Sequence, residues 1–152
     1  MRVKLLFLTF LLPLTGAEPA GYKYWSAAEI KGYAATLAPK INAQKFANQR
    51  IGDFGNHYAL AVYREGSGEA EFHENEADLM FISTGSGTLI VGGTIPDMRQ
   101  TAAGEQRGSK IDGGARQKLT PGDVVHVPSK TAHQVLLDPG TRLTYFIMKV
   151  KD

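Results

Sequence analysis

Two stretches of this 152-residue chain bring together side chains able to hold a metal ion. Residues 71–78 read Glu71-Phe72-His73-Glu74-Asn75-Glu76-Ala77-Asp78; residues 120–134 run from Thr120-Pro121-Gly122 through His126 and Pro128 to His133-Gln134. Side chains alternate faces along a β-strand, so Glu71 and His73 point the same way if this segment is extended. Asp78 follows after a short turn, and His133 opens a later apolar stretch. Two imidazoles and two carboxylates converging inside a barrel form a nitrogen and oxygen site suited to Mn, Fe, Zn or Ni. A structural tetrahedral zinc usually draws on thiolates, and the chain has no cysteine.

Other residues in these stretches have simpler readings. His126 lies two residues before Pro128 on a strand that faces either way, and His57 opens a strand ahead of the first cluster. Glu74 and Glu76 flank the turn before Asp78 as solvated acids, with Glu76 the replacement ligand if that turn is tight. Arg64 and Lys149 stand at strand ends, where a charge is either solvated or in reach of an anionic substrate.

The elements that must position these groups are mostly strands. Ser26 with Glu29 three residues on forms a capping-box pattern. The run after it puts Ile30, Tyr33, Ala34 and Leu37 on one helical face until Pro39 stops it. Further helical turns are expected over 41–49. From Gly52 onward, short alternating runs separated by glycine-rich turns predict an all-β domain. Strands are expected near 57–64, 69–74, 78–84, 87–92, 116–119, 123–127, 133–137 and 141–150. Met80 and Ile82 share parity with Asp78 and so line the same face, with Leu79 and Phe81 packing outward. Residues 93–115, rich in glycine and polar groups, are expected as a long loop shaping the barrel mouth. The domain plan is a leader and helix over 18–50 and the β domain over 51–152.

The N-terminus has a different texture. Arg2 and Lys4 precede an apolar run from Leu5 to Leu14, and Thr15-Gly16-Ala17 offers small residues for cleavage. That is the pattern of a secretory signal peptide over residues 1–17. The run is about half the roughly 20 residues that span a bilayer, and Pro13 interrupts it. The expected location is secreted or periplasmic, with no membrane attachment after cleavage. Removing the segment takes away two cations and no anion, so the formal charge falls from +2 to about 0. No basic stripe with interleaved aromatics is present, which speaks against nucleic acid as partner. Without disulfides, an exported chain must draw its stability from its core.

The segments YREGSGEAEFHENEADLMFISTGSGTLIVGG (63–93) and LTPGDVVHVPSKTAHQVLLDPGTRLTYFIMKV (119–150) together resemble the two motifs of the cupin superfamily. In the second, Gly122, Pro128 and His133 keep the family spacing, with Lys130 where glycine is usual and Leu137 where asparagine is frequent. In the first, Gly85 sets the register: Asp78 takes the glutamate position, His73 the second histidine and Glu71 the first. Glu65 stands where the motif normally opens with glycine. The resemblance implies a single cupin-type jelly-roll β-barrel behind a short N-terminal helix, covering about residues 57–150. It also implies a divalent metal held by His73, Asp78, His133 and Glu71, through a Glu-x-His variant of the usual His-x-His.

Two readings of function stand side by side. In one, the protein is an exported metalloenzyme acting on a small oxygenated molecule, with Glu71 as ligand or catalytic base. In the other, it is a non-catalytic cupin module that binds a small molecule or sugar, since fold does not fix function. A homodimer formed through an edge strand is expected under either.

Overall fold

The computed structural model describes residues 16–152. The expected signal peptide therefore lies outside the described residues, apart from Gly16 and Ala17. No helix among the described residues is long and apolar enough to cross a membrane.

Helix α1 spans Ala27–Leu37, capped by the Ser26 hydroxyl, which accepts from the Glu29 N–H at 3.1 Å. A single 3-10 turn, Ala38–Lys40, follows with Pro39 inside it. The predicted helical face is the one that packs: Leu37 is fully buried against Ala47, Ala61 and Tyr63, with Tyr33 and Ala34 beside it.

The helical turns expected over 41–49 are not formed. The Asn42 side chain accepts from the N–H groups of Gln44 and Phe46 and closes a turn. Lys45 then takes a left-handed backbone, and Phe46–Asp53 runs as strand β1. Its backbone groups find partners along the strand His57–Arg64, β2, a tertiary pairing that outweighs local helix preference. The barrel sheet thus begins at Phe46, within the stretch assigned to the leader.

The remaining strands are β3 (Ala70–His73), β4 (Glu76–Gly85), β5 (Gly87–Val91), β6 (Arg99–Ala102), β7 (Glu105–Gly108), β8 (Ala115–Leu119), β9 (Val124–Val127), β10 (His133–Leu136) and β11 (Leu143–Lys151). All pair antiparallel, in two sheets ordered β1-β2-β11-β4-β9 and β6-β7-β3-β10-β5-β8. The stretch expected as a long loop contains β6 and β7, a hairpin that extends the second sheet by pairing β7 with β3. Its two four-residue strands are too short and too polar to show an apolar alternation.

The core lies between the sheets, where Met80, Ile82, Leu89, Leu119, Leu143 and Ile147 are buried together. Met80 and Ile82 face inward with Asp78, as their parity predicts; Phe81 faces outward, edge-on to Phe146 at 5.6 Å. The turn between β4 and β5 depends on Gly85, whose φ is +80°; a Cβ there would lie 1.8 Å from the Arg142 carbonyl oxygen. That tight closure lets β4 and β5 occupy different sheets.

Candidate metal centre

Register brings the four expected residues together from three strands. In the second sheet, Arg107, Glu71 and His133 lie in one cross-strand row, with Glu105 opposite His73 two residues along. In the first sheet, Tyr58, Lys149 and Asp78 form a row of their own. The rows face each other across the barrel. His73, Asp78 and His133 are buried, while the Glu71 side chain keeps 23% of its surface exposed.

One donor atom from each of Glu71, His73, Asp78 and His133 lies within 4.8 Å of all the others. His133 Nε2 is 3.3 Å from Asp78 Oδ2 and 3.9 Å from Glu71 Oε2; His73 Nε2 is 3.4 Å from Glu71 Oε2 and 3.7 Å from Asp78 Oδ2. Ligands at about 2.0–2.2 Å from one ion stand about 3 to 4 Å apart, so these separations suit a shared ion.

The tautomers point the same way. His133 Nδ1 lies 3.0 Å from the Thr131 carbonyl, which can only accept, so Nδ1 carries the proton. His73 Nδ1 is 2.8 and 2.9 Å from the two Glu105 carboxylate oxygens and donates to them. Nε2 of His133 then faces the Asp78 carboxylate at 3.3 Å, while Nε2 of His73 meets Lys149 Nζ at 2.7 Å with the Glu71 and Asp78 carboxylates beyond it. A lone pair facing a carboxylate oxygen at 3.3 Å needs a cation between them, either a proton or a metal. The donor set therefore fits a divalent transition ion: two oriented imidazoles and two carboxylates.

Electrostatics describe the same site without an ion. Burial pushes the His133 imidazole down, but Asp78 and Glu71 outweigh it and raise it above the usual histidine range. Burial raises the Asp78 carboxyl, yet His133, Lys149 and His73 hold it below its ordinary value. For Glu71, burial is again opposed, by the neighbouring His73 imidazole and the charges of Arg107, His133 and Arg64, and the carboxyl is held far below the usual range. A carboxyl held low in this way is a weak base.

The comparisons bear on the fold. No protein-family model matches the sequence, and no curated protein sequence matches it. Solved structures do. A cupin-2 domain protein from Rhodospirillum rubrum superposes with a TM-score of 0.53 at 17% identity, covering 72% of this chain and 63% of that one. The chain has a cupin fold. The polyketide cyclase RemF from Streptomyces resistomycificus gives 0.51 at 14% identity over 72% and 67% of the two chains. A Streptomyces protein solved with uridine gives 0.52 at 10% identity over 72% of each.

Read as a cupin, the chain's departures from the motif have structural correlates. Lys130, where glycine is usual, has φ +59°, the left-handed region that costs a side-chain-bearing residue about 1–2 kcal/mol. Its N–H donates to the His73 carbonyl at 2.7 Å, tying the turn before His133 to the strand that carries His73.

Of the other candidates, His126 faces outward opposite Leu79, and His57 stacks on Phe54 at 4.9 Å. Glu76 lines the cavity and accepts from the Tyr58 hydroxyl at 2.9 Å, while Asp78 is the carboxylate that joins the donor cluster. Glu74 accepts from Gln106 Nε2 at 2.7 Å.

Three participants carry more weight than their sequence positions suggested. Lys149, at a strand end, is 7% exposed; its Nζ lies 2.6 Å from Asp78 Oδ1, in ion-pair range but outside hydrogen-bond geometry, and 2.7 Å from His73 Nε2. Its parity with Tyr145 and Ile147 was the available signal. Glu105 and Arg107 come from β7, whose alternation about Gln106 was the only hint. Arg107 Nη2 is 3.0 Å from Glu105 and 3.8 Å from Glu71.

Proposed function

We propose that the protein is an exported cupin that holds a divalent transition ion (Mn, Fe, Zn or Ni) and acts as a metalloenzyme on a small oxygenated molecule. The observation that carries this reading is the convergence of His73, His133, Asp78 and Glu71 with both Nδ1 protons tied off, so that both Nε2 atoms point into the cluster, that of His73 also meeting Lys149 Nζ at 2.7 Å. When bound, such an ion polarises a substrate oxygen or activates water. The chain's own residues set the stage: Glu105 and Thr131 orient the rings, and the buried walls exclude bulk water. Glu71 is the most exposed of the four and the first that an entering molecule meets. A carboxyl held low by neighbouring cations is a weak base, so ligation is the main proposed role of Glu71, with proton transfer second.

The cavity beside the site measures about 420 Å³, the size of a small-molecule pocket. A second reading, a binding module without catalysis, draws on Lys149: its ammonium already meets Asp78 and His73, so two of the donors are satisfied without a metal.

Reconstitution with each ion, followed by a turnover screen on small hydroxy and carbonyl compounds, separates the two. Activity that chelator removes and one ion restores supports the metalloenzyme. A ligand that raises Tm equally with and without chelator, with no turnover, supports the binding module. For export, intact mass of the protein recovered outside the cytoplasm is expected to begin near Glu18; a full-length mass there overturns cleavage.

A further inference from the structure

We infer that the cavity seats a small organic anion, with a carboxylate or phosphate group resting on the terminal nitrogens of Arg64 beside the metal centre. The inference deepens the proposed function, since it names the charge class of what enters the same cavity. Arg64 is 7% exposed and lines the cavity, an unusual place for a guanidinium.

Its surroundings hold it in one pose. Nε donates to the Tyr145 hydroxyl at 3.0 Å, and the Phe46 ring lies against the guanidinium at 4.4 Å. Gly68 leaves the room it needs, since a Cβ there would come within 2.7 Å of Nη1. The two terminal nitrogens have no hydrogen-bond acceptor among the described residues; the nearest carboxylate, Glu71 Oε1, stands 3.6 Å from Nη2. The fork opens on the cavity, so its acceptors come from whatever occupies that space. Planar oxyanions match that fork.

Charge balance leads to the same class. Around the site the carboxylates of Glu71, Asp78 and Glu105 are matched by Arg64, Arg107 and Lys149, so the cluster is neutral when both imidazoles are neutral. A divalent ion adds two positive charges. Counting Glu76 at the rim as well, one net positive charge remains, while Glu69 is spent on Arg99. An anionic guest restores neutrality where an uncharged one does not.

The test titrates the full mature chain with glycolate, inorganic phosphate and glycerol, each with EDTA and with Mn²⁺, reading Tm and calorimetric binding. Glycolate or phosphate is expected to bind and raise Tm in both conditions, more strongly with Mn²⁺, whose charge the anion offsets, and glycerol in neither; the stronger of the two anions names the source chemistry. Arg64→Met is expected to weaken anion binding by about tenfold or more. Tyr145→Phe, which keeps the buried ring and removes only the hydroxyl that anchors Nε, is expected to weaken it in the same direction, so the test survives if Arg64→Met misfolds. Anion binding without any metal binding would sink the metalloenzyme reading and leave this subsite standing. Anion binding only with Mn²⁺ and unchanged in both variants, or no preference over glycerol, would overturn the subsite.

Discussion

The barrel interior has two regions built partly from the same strands. Toward β5, β8 and β9 it is filled: Ile82, Leu89, Leu119 and Leu143 pack with almost no exposed surface. Toward β2, β3 and β7 it opens into a cavity ringed by carboxylates, imidazoles and cations. β4 supplies Ile82 to the first and Asp78 to the second; β11 supplies Leu143 and Lys149 in the same way. The filled side contributes stability through burial, whereas the open side carries buried charges whose desolvation is offset only by one another. The two regions should therefore fail differently when altered.

The largest effect is expected from Lys149→Met. Removing one partner of a buried ion pair costs about 3–5 kcal/mol, and here it leaves Asp78 with only His133 and His73 beside it. Denaturant unfolding of the metal-free variant should show that loss, and saturating metal should recover much of it, because an ion takes over the ammonium's role. Equal losses with and without metal would mean that Lys149 acts only by packing.

On the filled side, Leu119→Ala should cost about 2–5 kcal/mol while leaving metal stoichiometry unchanged. A variant that unfolds more easily and also loses its ion would erase the distinction between the regions. A subtler probe of the open side is Glu105→Gln, which keeps the shape but weakens the acceptor for His73 Nδ1. Calorimetry should show metal affinity down by about 10–100-fold, with much less change in the melting of the metal-free protein.

The smallest effect is a pH trend. The raised His133 pKa stabilises the metal-free fold fully below the unfolded histidine value near 6.5 and is lost as pH rises through the folded value. Metal binding needs the same imidazole neutral, so the stabilisation given by metal should instead grow over that interval. Parallel Tm curves with and without metal between pH 6 and 9 would contradict this account.

Much of this layout was legible in residue order. The parity of Glu71 with His73, and of Asp78 with Met80 and Ile82, placed those groups on the barrel face because strand geometry allows only two sides. The cap at Ser26 and the stop at Pro39 bounded the helix for equally local reasons. What escaped was set by tertiary pairing. β1 contains Asn48, Gln49 and Arg50 in a row, with no alternation to betray it, and is a strand because β2 offers an edge. The β6–β7 hairpin is polar throughout, yet it delivers Glu105 to His73 and Arg107 to Glu71. Lys149 looked like a solvated strand end; its register with Asp78 is what buries it.

Four side chains from β3, β4 and β10 are placed to share one metal ion. Elemental analysis of residues 18–152, purified without chelator or affinity metal and compared with His73→Ala and His133→Ala, tests it most directly. About one equivalent of a transition metal is expected in the wild type and a loss of it in both variants. No metal in the wild type, and none after reconstitution with Mn, Fe, Zn or Ni, would contradict it.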